Sequence, residues 1–183
     1  MIGGWLRGLR RREPAEVLYG SIVAAARQPQ IYAVWGVPDT PDGRFEMLAA
    51  HVALVVYALA GHGERGSERG RALAEAFVAD VDDNLREIGV GDLAVPRKVK
   101  KAAAAVFDRF NALRGGADSA TPLAVNFLIG NDFQGSDLID RVRIEAYFDS
   151  LVGALQGLPR EVVLAEQFEI PMLANDLQYP DRA

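Results

Sequence analysis

The chain is 183 residues long, carries a formal net charge of −5 and contains no cysteine. That length suits one domain, and folding at this size buries roughly two-thirds of the surface the unfolded chain exposes, so a core can form without staples. The missing cysteines exclude a disulfide scaffold, a thiol nucleophile and cysteine-held zinc or iron–sulfur centres. Four arginines and no acid occupy the first twelve residues, so the rest of the chain carries −9, a poor match for phosphate backbones and no basis for a specific nucleic-acid partner.

Residues 1–14 read as a basic N-terminal arm ahead of a single helical domain over 15–183. Ile2, Trp5, Leu6 and Leu9 recur at helical spacing among the arginines, which fits either a contact with an anionic membrane surface or a frayed tail. There is no signal-type apolar region at the start. No apolar run reaches the ~18 residues needed to cross a bilayer; the longest mostly apolar stretch, 47–60, contains His51.

Val17, Leu18, Ser21, Ile22 and Ala25 place one stripe on a helix over 15–27. Pro29 opens a short segment with Ile31, Tyr32, Val34 and Trp35, and the turn-forming run GVPDTPDG at 36–43 follows as a loop. Phe45, Leu48, Val52, Val55, Val56 and Leu59 define a helix over 43–60. The glycine-rich stretch 61–70 reads as a second loop. Leu73, Phe77, Val81, Leu85 and Ile88 then mark a helix over 71–88, with Gly89 placed to cap it in the left-handed conformation. Pro96 opens a further helix whose expected buried stripe is Val99, Ala103, Val106, Phe107 and Phe110. After a linker at 114–122, Leu138, Val142, Ala146, Leu151 and Leu155 predict a helix over 137–157, and 160–168 a short one. With no sustained β alternation, the fold class is all-α, a single-domain bundle of about six or seven helices.

The chemistry-bearing candidates are few. The segment GHGERG at 61–66 matches G-x-G-x-x-G, but it follows a helix where dinucleotide binding needs a strand. Asp39, Asp42 and Gly43 lack the ligand spacing of a calcium loop. Asp80, Asp83, Asn84 and Glu87 share a helical face without the Glu-x-x-His pairs of a carboxylate metal site, so no metal is expected. His51 sits among apolar residues and reads as a hydrogen-bonded core histidine. Arg97, Lys98, Lys100 and Lys101 span roughly a 160° arc opposite the apolar stripe. They occupy the first turns of their helix, where the macrodipole disfavours cations, which leaves a solvated face or an anion-facing patch. The residues supply no nucleophile, acid–base pair or phosphate loop: neither catalysis nor a cofactor is expected.

Three segments together carry a resemblance: LYGSIV through ARQP and Ile31-Tyr32; GVPDT, then DGRFEML with His51 beyond; and DDNLREIGVGDL running into Val95 and KVKK at 98–101. Over 17–113 their order and spacing resemble the ubiquinol–cytochrome c chaperone family, whose members assist assembly of the cytochrome bc complex. The resemblance implies a non-enzymatic helical chaperone that binds newly made cytochrome b, with ribosome contact as a further partner. A bacterial-type member would act in the cytoplasm, peripherally at the inner membrane, with the arginine arm as the contact. The aromatic residues Tyr19, Tyr32, Trp35 and Phe45 cluster where a client groove could open, or else form ordinary core, and partner contact is expected at Arg44, Arg86, Asp92 and Lys98. Two other classes stay open: a carrier of a small apolar ligand such as a quinone or lipid, which would show a closed cavity, and an enzyme built from dispersed residues around His51, which would show carboxylates in its pocket.

Overall fold

The computed structural model describes residues 14–115 and 140–165, together with Phe168 and Ile170. Of the expected arm over 1–14 only Pro14 is described, and it opens the first helix; of the expected linker over 114–122, residues 114 and 115 end a helix, and everything from there to residue 139, Leu138 included, lies outside the described residues. Among the described residues seven helices follow one another: α1 (Pro14–Ala26), α2 (Pro29–Ala33), α3 (Pro41–Ala60), α4 (Gly63–Glu87), α5 (Val95–Gly115), α6 (Arg141–Gly157) and α7 (Arg160–Val163). No strand occurs among the described residues, as an all-α bundle requires.

α3 is the axis of the fold. It is apolar nearly all round, with Met47, Ala50, Val52, Leu54, Val55 and Leu59 buried, and such a helix is stable only when neighbours enclose it. α1, α4, α5 and α6 all pack on it. Its start corrects the expected loop over 36–43. Thr40 caps the helix, its hydroxyl accepting the Gly43 N–H at 3.1 Å, and Pro41 stands at the first position, where its missing N–H costs nothing. A side chain at Gly43 would collide with the Pro38 carbonyl oxygen. Begun at Pro41, α3 is by length and composition apolar enough to cross a bilayer, a property that the 47–60 stretch alone lacked. Most of it is buried inside the bundle.

The stretch 61–70 is the larger correction: from Gly63 onward it is helix, not loop. Gly63, with φ +79°, turns the chain out of α3. Gly66 and Gly70 then face α3, where a Cβ at Gly66 would strike the Leu59 carbonyl oxygen. Close helix–helix approach, rather than loop freedom, explains these glycines. α4 ends as expected: Gly89 takes φ +80°, its N–H donates to the Arg86 carbonyl at 3.0 Å, and the Val90 N–H reaches back to Leu85 at 3.0 Å, the two bonds of a Schellman cap.

Two expected stripes are rotated. On α5 the buried residues are Val95, Ala102, Val106, Arg109 and Leu113, while Phe107 is 62% exposed and Val99, Ala103 and Phe110 are half-buried. On α6, Ile144, Tyr147, Phe148, Leu151 and Leu155 face inward and Val142 faces out. The N-terminus of α6 is anchored: Asp140 accepts the Arg143 N–H at 3.1 Å and gives its own N–H to the Trp35 carbonyl at 2.8 Å. Phe168 and Ile170 are buried, and the Ile170 N–H bonds the Ser21 hydroxyl at 3.1 Å, so this part of the C-terminal segment lies against α1.

Candidate functional site

Two open clefts flank α4. The first, about 580 Å³, lies between the end of α1, the start of α3 and the C-terminal half of α4. Its floor is apolar, with Phe45, Leu48, Val81 and Leu85; polar groups stand among its lining, notably Arg27, Arg44, Asp39 and Asp80. Arg44 meets Asp39 at 2.5 Å and lies over the Tyr32 ring, 5.8 Å from its centroid. The adjoining guanidinium holds the Asp39 carboxyl below its usual range. The Tyr32 hydroxyl donates to the Ala26 carbonyl at 2.6 Å. Tyr19 donates to Asp80 at 2.8 Å and packs edge-on against Phe77; burial foremost, then the Asp80 hydrogen bond, raises its pKa well above the ordinary phenol value.

The second cleft, about 790 Å³, runs between α4 and α5 and reaches α3 at Val56, near its C-terminal end. Val78, Ala103, Phe107 and Phe110 supply much of its wall. Because α4 and α5 form an antiparallel hairpin, Arg71 stands toward one end of this cleft and Lys100 toward the other. Lys100 to Phe110 spans about 15 Å along α5 at the helical rise. The result is a slot with apolar walls and a cation near each end, the form that accepts an apolar helix or hairpin.

Beneath these surfaces His51 is fully buried on α3. Its Nδ1 lies 2.7 Å from the Met47 carbonyl and its Nε2 2.5 Å from the Tyr147 hydroxyl. Burial lowers its pKa to about 4, so the ring is neutral near pH 7. The Tyr147 and Phe148 rings lie 5.3 and 5.2 Å from the imidazole and 5.1 Å from each other, and Trp35 packs on Tyr147 at 5.4 Å. No carboxylate is hydrogen-bonded to His51, whose two ring nitrogens are taken up by Met47 and Tyr147. Among the described residues no group of three or more His, Asp or Glu side chains could hold a metal.

Of the residues expected to meet a partner, Arg44 lines the first cleft, and Tyr32 lies under its guanidinium. Arg86 pairs with Asp82 at 2.6 Å and with the well-exposed Asp92 at 3.1 Å, and Lys98 is exposed on the first turn of α5. Tyr19 is buried, with its hydroxyl directed to the cleft residue Asp80. Trp35, 2% exposed, belongs to the aromatic core with Tyr147 and offers no surface. The expected aromatic cluster is therefore divided: Phe45 and Tyr32 toward the cleft, Trp35 into the core. The α4–α5 slot escaped the sequence reading because Phe107 was placed inside; the alanine run 102–105 beside it was the available signal, since small residues leave a groove between helices.

An all-α domain that presents two open, largely apolar clefts has the architecture of a protein that binds other chains. The family described as ubiquinol–cytochrome c chaperone matches residues 33–170, extending well past the three segments that carried the resemblance. The chain belongs to this ubiquinol–cytochrome c chaperone family. The crystal structure of the Cbp3 homolog from Brucella abortus is similar, at 31% identity and a TM-score of 0.69, over 86% of this chain and 88% of that one. No curated protein matches the sequence.

Proposed function

We propose that this chain is an assembly chaperone that binds newly made cytochrome b and helps build the ubiquinol–cytochrome c reductase complex, seating an apolar client segment in the α4–α5 slot. The observation that carries the reading is the slot itself: apolar walls about 15 Å long, exposed Phe107, and cations Arg71 and Lys100 toward its ends. A segment bound for the membrane must be kept from water until it is inserted, and an apolar groove on a carrier does so without requiring catalysis. A carrier of a quinone or lipid would enclose its ligand, whereas both clefts lie open along one side. The reading places the protein in the cytoplasm at the inner membrane, where such a client emerges, with the arginine arm and the ribosome as further contacts.

The test is site-specific cross-linking in the native host. A benzoylphenylalanine replacing Phe107 is expected to capture cytochrome b during its synthesis, and one replacing exposed Glu75 is not. Failure to capture cytochrome b from Phe107, with complex III assembling normally in a strain that lacks the protein, would overturn the proposal.

A further inference from the structure

Between α4 and α5 the chain makes a turn that points away from the bundle. Ile88 is 75% exposed and Leu93 99% exposed, although both are residues that folding ordinarily hides. Gly89 and Gly91 have no atom within 4 Å of where a side chain would stand, so nothing in the described structure covers the turn. It is nonetheless well held, by the Schellman cap, by the Ala94 N–H donating to the Gly91 carbonyl at 2.8 Å, and by the Arg86–Asp92 pair. Directly after it, Arg97, Lys98, Lys100 and Lys101 are all exposed, and none of the four makes an ion pair among the described residues.

The charge here runs against the rest of the molecule. Residues 86–101 hold five cations against Glu87 and Asp92, a local net charge of +3 in a chain whose total is −5. Cations in the first turns of α5 also oppose the helix dipole, so helix stability does not explain them. An exposed leucine and isoleucine at a rigid tip, flanked by lysine and arginine, match a bilayer with anionic headgroups: apolar side chains enter the acyl boundary and cations stay at the phosphates. We propose that the α4–α5 turn is a membrane-docking tip, with Leu93 and Ile88 inserting into an anionic lipid surface and Arg97, Lys98 and Lys101 binding its headgroups. Lys100 opens onto the slot behind the tip, so docking would bring the slot to the membrane surface. The inference stands on residues separate from the arginine arm and does not depend on which client the slot receives.

The absence of cysteine from the whole chain provides a direct test. A single Leu93→Cys in the full-length protein is labelled with an environment-sensitive fluorophore, with Glu75→Cys, exposed well back along α4, as the control. Vesicles of phosphatidylcholine and phosphatidylglycerol should shift the probe at 93 to the blue and brighten it, leave the probe at 75 unchanged, and have no effect when made of phosphatidylcholine alone. Lys98→Gln with Lys101→Gln should weaken vesicle partitioning by roughly 30-fold, at about a fivefold loss per cation near the surface. That loss cannot be ascribed to unfolding, because removing cations from a helix N-terminus does not destabilise it. A protein that floats with vesicles while the probe at 93 stays in water docks elsewhere, and the proposal fails. Binding to ribosomal RNA that depends on Lys98 and Lys101, without insertion at 93, would assign the patch to nucleic acid and equally overturn it.

Discussion

His51 and Tyr147 meet across the α3–α6 interface with the imidazole Nε2 and the phenolic oxygen 2.5 Å apart, both side chains buried. The Met47 carbonyl, 2.7 Å from Nδ1, can only accept, so Nδ1 carries the proton and donates. Nε2 is then the acceptor, and Tyr147 donates to it. This chain of two hydrogen bonds fixes a neutral tautomer and ties α6 to the central helix. The residue that most invited a catalytic reading thus has both ring nitrogens occupied in holding the fold.

Acid should loosen that junction in a defined window. The folded pKa of His51 is lowered to about 4, against about 6.5 in the unfolded chain. Between those values the unfolded state binds the extra proton. The contribution is therefore fully present above about pH 6.5 and is lost as pH falls toward 4. By about pH 5 the loss amounts to about 2 kcal/mol. Urea unfolding at about pH 7 and pH 5 should show wild type losing that much more stability than His51→Gln. Tyr147→Phe should keep the slope, yet be destabilised by about 1–3 kcal/mol at both values through the unsatisfied Nε2. Equal pH dependence in wild type and His51→Gln would refute this account.

A second buried junction joins α3 to α5. Arg109 is 6% exposed, bonds the Ala105 carbonyl at 2.8 Å and forms an ion pair with Glu46. Burial pulls the guanidinium pKa down while Glu46 pushes it back up. Glu46→Ala leaves that charge buried beside a weaker set of partners and should cost about 3 kcal/mol. Arg109→Leu combined with Glu46→Leu, which keeps the volume and removes both charges, should restore much of the lost melting temperature. Additive losses in the double variant would show that the two residues act separately.

The helices were legible in the sequence because α3 is a long apolar run, because the apolar period is clear along most of α4, and because Gly89 and Pro96 are strong local signals. What was misread involved small or polar residues whose meaning is tertiary. Gly66 and Gly70 look like loop formers until the facing helix is known. Arg109 occupies a position between Val106 and Leu113 that periodicity assigns to apolar side chains, and its partner Glu46 lies 63 residues away. The expected stripe runs through Phe107 instead, which buries that residue and hides the slot beside it. Beside Tyr32 and Phe45, Trp35 fits a groove or a core equally in sequence, and a helix more than a hundred residues later covers it. The Arg109 and Trp35 cases turn on contacts distant in the chain, which local pattern does not encode.

The two α4 glycines that face α3, Gly66 and Gly70, should respond oppositely to alanine. At Gly66 an added methyl meets the Leu59 carbonyl oxygen and comes within 2.9 Å of the His62 Cβ, neither of which can rotate away. Overpacking of this kind costs about 1–3 kcal/mol, so Gly66→Ala should lower the melting temperature. At Gly70 the nearest atom is 3.4 Å away, on the Val56 side chain, and the helix gains up to about 1 kcal/mol in propensity. Gly70→Ala should therefore be neutral or stabilising. Calorimetric melts of the two variants check the contrast; a matched loss at both positions would mean that the α3–α4 spacing is not what the glycines serve.

Phe107 separates stability from binding. With 62% of its surface exposed, its replacement removes little from the core, and Phe107→Ser should change unfolding free energy by no more than about 0.5 kcal/mol. The same side chain forms part of the slot wall, where an aromatic residue supplies a large apolar contact to any segment that lies there. Loss of such a contact at an interface centre costs about 2 kcal/mol or more, a drop in client affinity of about 30-fold. Phe45→Ser, in the first cleft, is the comparison: Phe45 is half-buried against Phe77, so it should lose stability as well. Steady-state cytochrome b and complex III levels in strains carrying each variant, read beside the melting temperature of the purified proteins, decide between the two clefts. A Phe107→Ser protein that melts normally and supports full assembly would move the client to the first cleft; one that melts normally and fails to support assembly keeps it between α4 and α5.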